Sequence, residues 1–330
     1  MTPLRLVFFG SDAIALPLLE QLAGEGSALA QVVAVFTQPD RPAGRGQKTE
    51  PNAIKRWAVA RNLPVFQPEK PDEAARTQLA ALKADLGLVM AYGHLLRDDF
   101  IATPRLGLLN LHTSLLPKYR GASPIQTAIA SGERETGVTL MRIVRKLDAG
   151  PIADAERVSI HARDTAEYLE TKLAAACWPL VARVLPKLFD GKVAFTPQDE
   201  TQATYCRRLT KEDGVLDFAA SAAVLAARIN GLFPWPGCAV GISGQPVKLG
   251  LADFEAAFAS GGAGTVLGTD AESLRIATDQ GILRLLRLQR PGGKMLPAPE
   301  FLRGFPVAAG TVLASRTMRP LLEHQRPSIK

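Results

Sequence analysis

The chain has 330 residues, 47% hydrophobic and 22% charged, enough ordinary globular sequence for two sizeable cores. Cys177, Cys206 and Cys238 are widely spaced, odd in number and without zinc spacing, which excludes a disulfide framework and suits a reducing compartment. The apolar run at residues 6–9 is too short for a signal-peptide core, and the uncharged residues 229–247 carry too much Pro and Gly to span a membrane. The net charge of +7 gathers late: residues 280–330 hold 9 basic and 2 acidic side chains, either a surface for a polyanion or a solvated face.

Residues 4–9 read as a strand, followed by a Gly10-Ser11-Asp12 turn and a helical pattern to about Leu22. That is the opening of a doubly wound α/β domain. A single Gly there falls short of the G-x-G-x-x-G dinucleotide fingerprint. Residues 31–36 form a second strand. Residues 37–48, TQPDRPAGRGQK, combine two Pro and two Gly with Arg41, Arg45 and Lys48. This composition predicts a mobile basic loop with neither helix nor strand. A helix follows over 52–62, a short strand at 65–66, and a helix over 71–84 with Asp72 and Glu73 favourable at its start. Residues 86–91 are a buried strand leading into Tyr92-Gly93-His94-Leu95-Leu96, where His94 reads as a rim residue.

The stretch 108–121, LLNLHTSLLPKYRG, organises the domain. Residues 108–111 read as a buried strand. Alternation along it turns Asn110 and His112 the same way. Pro117 ends the ladder, leaving a polar pair at the carboxyl end of a strand, where open α/β sheets place their sites. A buried His is often only a core residue and an Asn beside a loop a turn residue, so this pair alone settles nothing. A helix over 123–130 and a strand over 136–143 follow, then a crossover that delivers Asp148, a strand over 152–160 and a long helix over 165–189. Cys177 sits on the apolar face of that helix with Leu173 and Leu180, a core position.

Residues 191–208 lack a period and read as an extended linker. Beyond it come a helix over 219–229, a Pro-Trp-Pro turn at 234–236, and short runs at 239–242, 246–251, 264–267, 274–277 and 282–288 separated by Gly. Regular short strands with Gly turns predict a small β-barrel. The expected boundaries are a catalytic domain over 1–190, a linker over 191–208, a barrel domain over 209–316 and a tail over 317–330, with the last fifteen residues of the chain frayed.

Asn110-x-His112 continued by SLLPxxRG, with the later LDAG around Asp148, resembles the folate-dependent formyltransferases. The resemblance implies a Rossmann-like α/β formyltransferase domain followed by an OB-like β-barrel. It implies Asn110, His112 and Asp148 as the catalytic set. Folate contacts are implied at Ser114, Leu115, Leu116 and Pro117 and, through backbone groups, at Leu95 and Leu96. The implied formyl donor is 10-formyltetrahydrofolate, with no metal. Thr113 stands where the family commonly has Gly, and Ala149 where it commonly has Thr. The basic loop resembles the one with which tRNA-acting members reach the acceptor arm, which implies tRNA contacts at Arg41, then Arg45 and Lys48. The Pro-Trp-Pro turn and QPVKL resemble the second domain of the same members. The expected reaction is formyl transfer to the α-amino group of initiator methionyl-tRNA by a cytoplasmic monomer with no membrane partner. The competing readings are formyl transfer to a small amine of a nucleotide or aminosugar, a hydrolase that releases formate, and a non-catalytic RNA-binding protein.

Overall fold

The computed structural model describes residues 2–43 and 48–324. In chain order the elements are β1 (Leu4–Phe9), α1 (Leu16–Ala23), β2 (Ala30–Phe36), β3 (Arg41–Ala43), β4 (Lys48–Glu50), α2 (Ala53–Val59), β5 (Val65–Phe66), α3 (Glu73–Ala81), β6 (Leu86–Val89), α4 (Asp98–Ile101), β7 (Leu108–His112), β8 (Arg120–Gly121), α5 (Pro124–Ala130), β9 (Glu135–Arg142), β10 (Ile152–Ser159), α6 (Ala166–Phe189), β11 (Tyr205–Cys206), α7 (Ala222–Leu232), β12 (Cys238–Ile242), β13 (Gln245–Glu255), β14 (Val266–Thr269), β15 (Leu274–Ala277), β16 (Ile282–Gln289), β17 (Leu296–Pro297), α8 (Ala298–Gly304) and β18 (Leu322–Glu323). Two compact units emerge. One comprises Met1–Arg120, Gly137–Val158 and Thr171–Ala203; the other comprises Gly121–Thr136, Ser159–Glu170 and Thr204–Lys330.

The first unit is built on a seven-stranded sheet of order β10-β9-β7-β6-β1-β2-β5. Strands β5, β2, β1, β6 and β7 run parallel, and β9 lies antiparallel to β7. Parallel strands are covered on both faces, which is why β1 and β6 read as nearly unbroken apolar runs. The core between sheet and helices stacks Phe9 on Phe36 at 4.9 Å and Phe36 on Phe66 at 4.7 Å between ring centroids. Asn52 and Asp72 cap α2 and α3 by accepting from the Lys55 and Ala75 amides. At the chain reversal after β1, a Cβ on Gly10 would lie 2.6 Å from the Met90 carbonyl oxygen, so only glycine lets the two strand ends approach.

The second unit carries an antiparallel sheet of order β12-β13-β16-β15-β14, with β17 added on β16. This curled sheet is the small barrel-like domain that the sequence leads one to expect. The register of β13 against β16 shifts around Leu251, and such a bulge bends the strand. The bulged backbone is satisfied by a side chain: buried Asn230 of α7 accepts from Ala252 N at 2.9 Å and donates to Ala252 O at 2.8 Å. Helix α5 packs on α7 at Gly231, where a Cβ would meet the Gln126 carbonyl oxygen at 2.6 Å.

Two expectations need correction. Residues 41–43 and 48–50 form an antiparallel ribbon, Arg41 opposite Glu50 and Pro42 opposite Thr49, where the sequence predicted neither helix nor strand. A two-stranded ribbon is all edge, and Pro is tolerated on an edge because its missing N–H interrupts no inner ladder. The tail is not frayed through residue 324: Leu321 is buried, and β18 pairs antiparallel with β11 through Leu322 and Cys206. Apolar burial and a short ladder hold a segment that composition marked as terminal.

Candidate active site

Strand β7 sits inside the sheet, so its backbone is paired on both sides. Asn110 lies between Val89 of β6 and Met141 of β9, and His112 lies opposite Thr139 of β9. Asn110 is half-buried and His112 is buried. The chain then turns through Ser114 to Tyr119, with a cis peptide before Pro117. Thr139, wholly buried, secures this turn: its hydroxyl donates to Ser114 O at 2.7 Å and accepts from Leu116 N at 3.1 Å. The Ser114 hydroxyl closes the turn onto Lys118 O at 2.6 Å.

The turn returns a main-chain carbonyl to the imidazole. His112 Nε2 lies 2.8 Å from Tyr119 O. A carbonyl only accepts, so Nε2 carries the hydrogen. In the neutral ring, Nδ1 is then the bare nitrogen, and it faces Asp148 Oδ2 at 3.8 Å. That distance exceeds a direct hydrogen bond and is an ion-pair distance once the ring is protonated. The hydrogen-free nitrogen of that tautomer is therefore the one on the side of the Asp148 carboxylate.

Asp148 is presented by the loop between β9 and β10. Its own φ is +48°, in the left-handed region that non-glycine residues rarely occupy. Two residues on, a Cβ at Gly150 would lie 1.8 Å from the Arg142 carbonyl oxygen, so the loop is folded tightly back on β9. Gln198 holds the same loop, donating from Nε2 to Asp148 O at 2.9 Å and to Gly150 O at 2.8 Å. Its Oε1 accepts from Arg120, which is fully buried and also pairs with Glu200. Lys146 Nζ reaches Glu200 at 2.6 Å. The Arg120 and Lys146 hydrogen bonds pull the Glu200 carboxyl down to about 2.

The sequence-derived site residues fall as follows. Asn110, His112, Asp148 and the Ser114 to Pro117 turn come together within the first unit. Leu116 is buried, Leu96 is buried, and Leu95 is 64% exposed. In the same segment, Tyr92 Oη and His94 Nε2 are buried without a hydrogen-bond partner among the described residues. Burial pushes the His94 ring toward its neutral form, and Arg41 adds to that effect. Arg41 is exposed on the ribbon and touches Gln38 Oε1 at 3.4 Å. Gln38 in turn donates to Tyr92 O at 3.0 Å and accepts at its own carbonyl from Asn52 and Gln67. Arg45 and the side chain of Lys48 lie outside the described residues. Sequence reasoning passed over Tyr119, Thr139, Gln198 and Glu200. Only Arg120 carried a signal, as the Arg of SLLPxxRG.

Comparison with known proteins is consistent along the chain. A family model described as formyl transferase matches residues 4–185, and one described as formyl transferase, C-terminal domain, matches residues 208–306. The chain is 42% identical over 294 residues to a methionyl-tRNA formyltransferase of Ectopseudomonas mendocina, covering 89% of this chain and 92% of the relative. It is 40% identical over 317 residues to one of Burkholderia vietnamiensis, covering 93% and 96%. Among solved structures, an N-formyltransferase of Helicobacter canadensis, in complex with folinic acid and dTDP-3-aminofucose, superposes with a TM-score of 0.64 at 19% identity, covering 86% of this chain and 99% of that one. At that identity the likeness concerns the fold.

Proposed function

The chain belongs to the formyl transferase family, and from that premise we propose that it transfers the formyl group of 10-formyltetrahydrofolate to the α-amino group of initiator methionyl-tRNA. Similarity across nearly the whole chain to relatives named for methionyl-tRNA supports this acceptor over a small amine. The amine attacks the formyl carbon, a C–N bond forms, and the bond to the folate nitrogen breaks. The amine gives up one proton and the folate nitrogen takes one, so the reaction needs a proton relay and no external reagent.

The observation that carries the chemistry is the imidazole held by Tyr119 O with Nδ1 turned to Asp148. Protonated at Nδ1, His112 donates toward the oxyanion that forms on the formyl oxygen, and the Asn110 amide supplies a second donor from the same strand. Asp148 stabilises the imidazolium and passes the amine's proton onward. Ser114, Leu115, Leu116 and Pro117, with Leu95 and Leu96, form the folate wall in this reading. Arg41, Arg45 and Lys48 meet the tRNA backbone.

The test follows the label. Protein is mixed with formyl-labelled folate and charged initiator tRNA, and the label is expected on the methionine nitrogen. Asn110→Ala lowers turnover by about 10²–10³, and His112→Ala by at least as much. Label released as formate, or near-wild-type turnover in either variant, overturns the proposal.

A further inference from the structure

We infer that Gln198 is a positioning residue: locked by buried Arg120, it fixes the backbone turn that presents Asp148 to His112. The inference rests on the catalytic reading of Asp148 given above and extends it to a segment 50 residues away in sequence.

Gln198 uses both ends of its amide. The NH2 end donates to the carbonyls of Asp148 and Gly150, one on each side of Ala149. The oxygen accepts from Arg120 Nε at 3.1 Å and Nη2 at 2.7 Å. Two carbonyls demand donors and a guanidinium demands an acceptor, so the amide has a single workable orientation. Arg120 is itself fixed, fully buried and forked onto Glu200 with both contacts at 3.1 Å. The irregular segment carrying Gln198 is anchored by a two-way bridge between Thr196 and Ile152, with both bonds at 2.8 Å, and by Phe195 under the Arg142 guanidinium at 4.1 Å.

The loop needs such a brace. A non-glycine residue at φ +48° is held against its own preference and persists only where its surroundings over-determine it. Asp148 must also keep its carboxylate near 3.8 Å from a ring that is fixed from its other side. A side chain that grips the carbonyls at 148 and 150 sets that turn directly. Misplacing a reacting group by about 1 Å can cost about 10²-fold in rate, so the brace matters for turnover more than for binding.

Gln198→Glu separates this role from a merely structural one. A glutamate still accepts from Arg120, so the buried cation keeps its partner, but it has no donor for the two carbonyls. The expected result is a folded protein whose kcat falls by about tenfold to 10²-fold, with the KM for formyl-folate within about twofold. Gln198→Asn keeps the amide but is one methylene short, and gives the same direction of change should the charged variant fail to fold. In an Asp148→Asn background, Gln198→Glu should add no more than about twofold, because it acts through the residue already removed. Hydrogen exchange supplies a readout free of turnover: the Ala149 amide, bonded to Lys146 O at 3.3 Å, should exchange faster in Gln198→Glu. Wild-type kcat with unchanged Ala149 exchange overturns the inference, as does full additivity with Asp148→Asn. Wild-type activity in Asp148→Asn alone would instead sink the catalytic reading, while the exchange measurement still decides whether Gln198 holds the loop.

Discussion

Thr139→Val is the sharpest test of how the turn after β7 is held. The side chain is wholly buried, and its hydroxyl spends its proton on Ser114 O and accepts the Leu116 amide. Valine matches threonine in shape but offers neither donor nor acceptor. Two buried main-chain groups are then left unpaired, each costing about 1–3 kcal/mol. The expected destabilisation is about 2–6 kcal/mol, together with a higher KM for formyl-folate as the turn loosens. Thr139→Ser is the control: it keeps both bonds and loses one buried methyl, worth about 1 kcal/mol. Urea unfolding followed by circular dichroism gives the stabilities, and initial rates give the KM. The reasoning fails if valine lies within about 0.5 kcal/mol of wild type with unchanged KM, or if serine is as damaging as valine.

Arg41→Ala should raise the KM for tRNA about tenfold and lower the slope of log affinity against log salt by about one, with folate KM unchanged. An equal rise for both substrates would mark a folding defect instead. For Glu200, a carboxyl pulled down to about 2 from 4.5 stabilises the fold above the ordinary value, and that contribution is lost as pH falls through about 2. The urea midpoint of wild type should therefore drop more steeply between pH 4.5 and 2 than that of Glu200→Gln, modestly so because the side chain is 49% exposed; parallel curves refute the pairing. Burial pushes the Cys177 and Cys238 thiols up to about 12, and Cys206 is buried too. A thiol reagent at pH 8 should label none of the three in the native protein and all of them in urea; rapid native labelling would contradict the packing.

The parts of the fold legible in the sequence are those whose cause is local. Runs such as residues 4–9 and 86–89 are apolar because parallel strands are buried on both faces, and that pattern needs no partner to be read. The five strands of the second unit's main sheet appear at the expected places because Gly turns punctuate them. The ribbon formed by residues 41–43 and 48–50 was hidden by its own composition, since Pro and Gly suppress every local strand signal while pairing between the two segments forms the ladder. The same holds for Leu321 to Glu323, ordered by burial and by pairing with β11.

By itself the sequence determined the chemistry on offer: an Asn and a His two apart on a buried strand, a turn ended by Pro117, and a carboxylate further on. Tertiary structure alone decided how these groups meet. It aimed Tyr119 O at one nitrogen of His112 and left the other to Asp148, which no spacing encodes. It also brought Gln198 and Glu200 to Arg120 across 78 and 80 residues of chain. Side-chain hydrogen bonds between distant segments leave no period in the sequence, because each depends on a single direction in space rather than on a repeating pattern of burial.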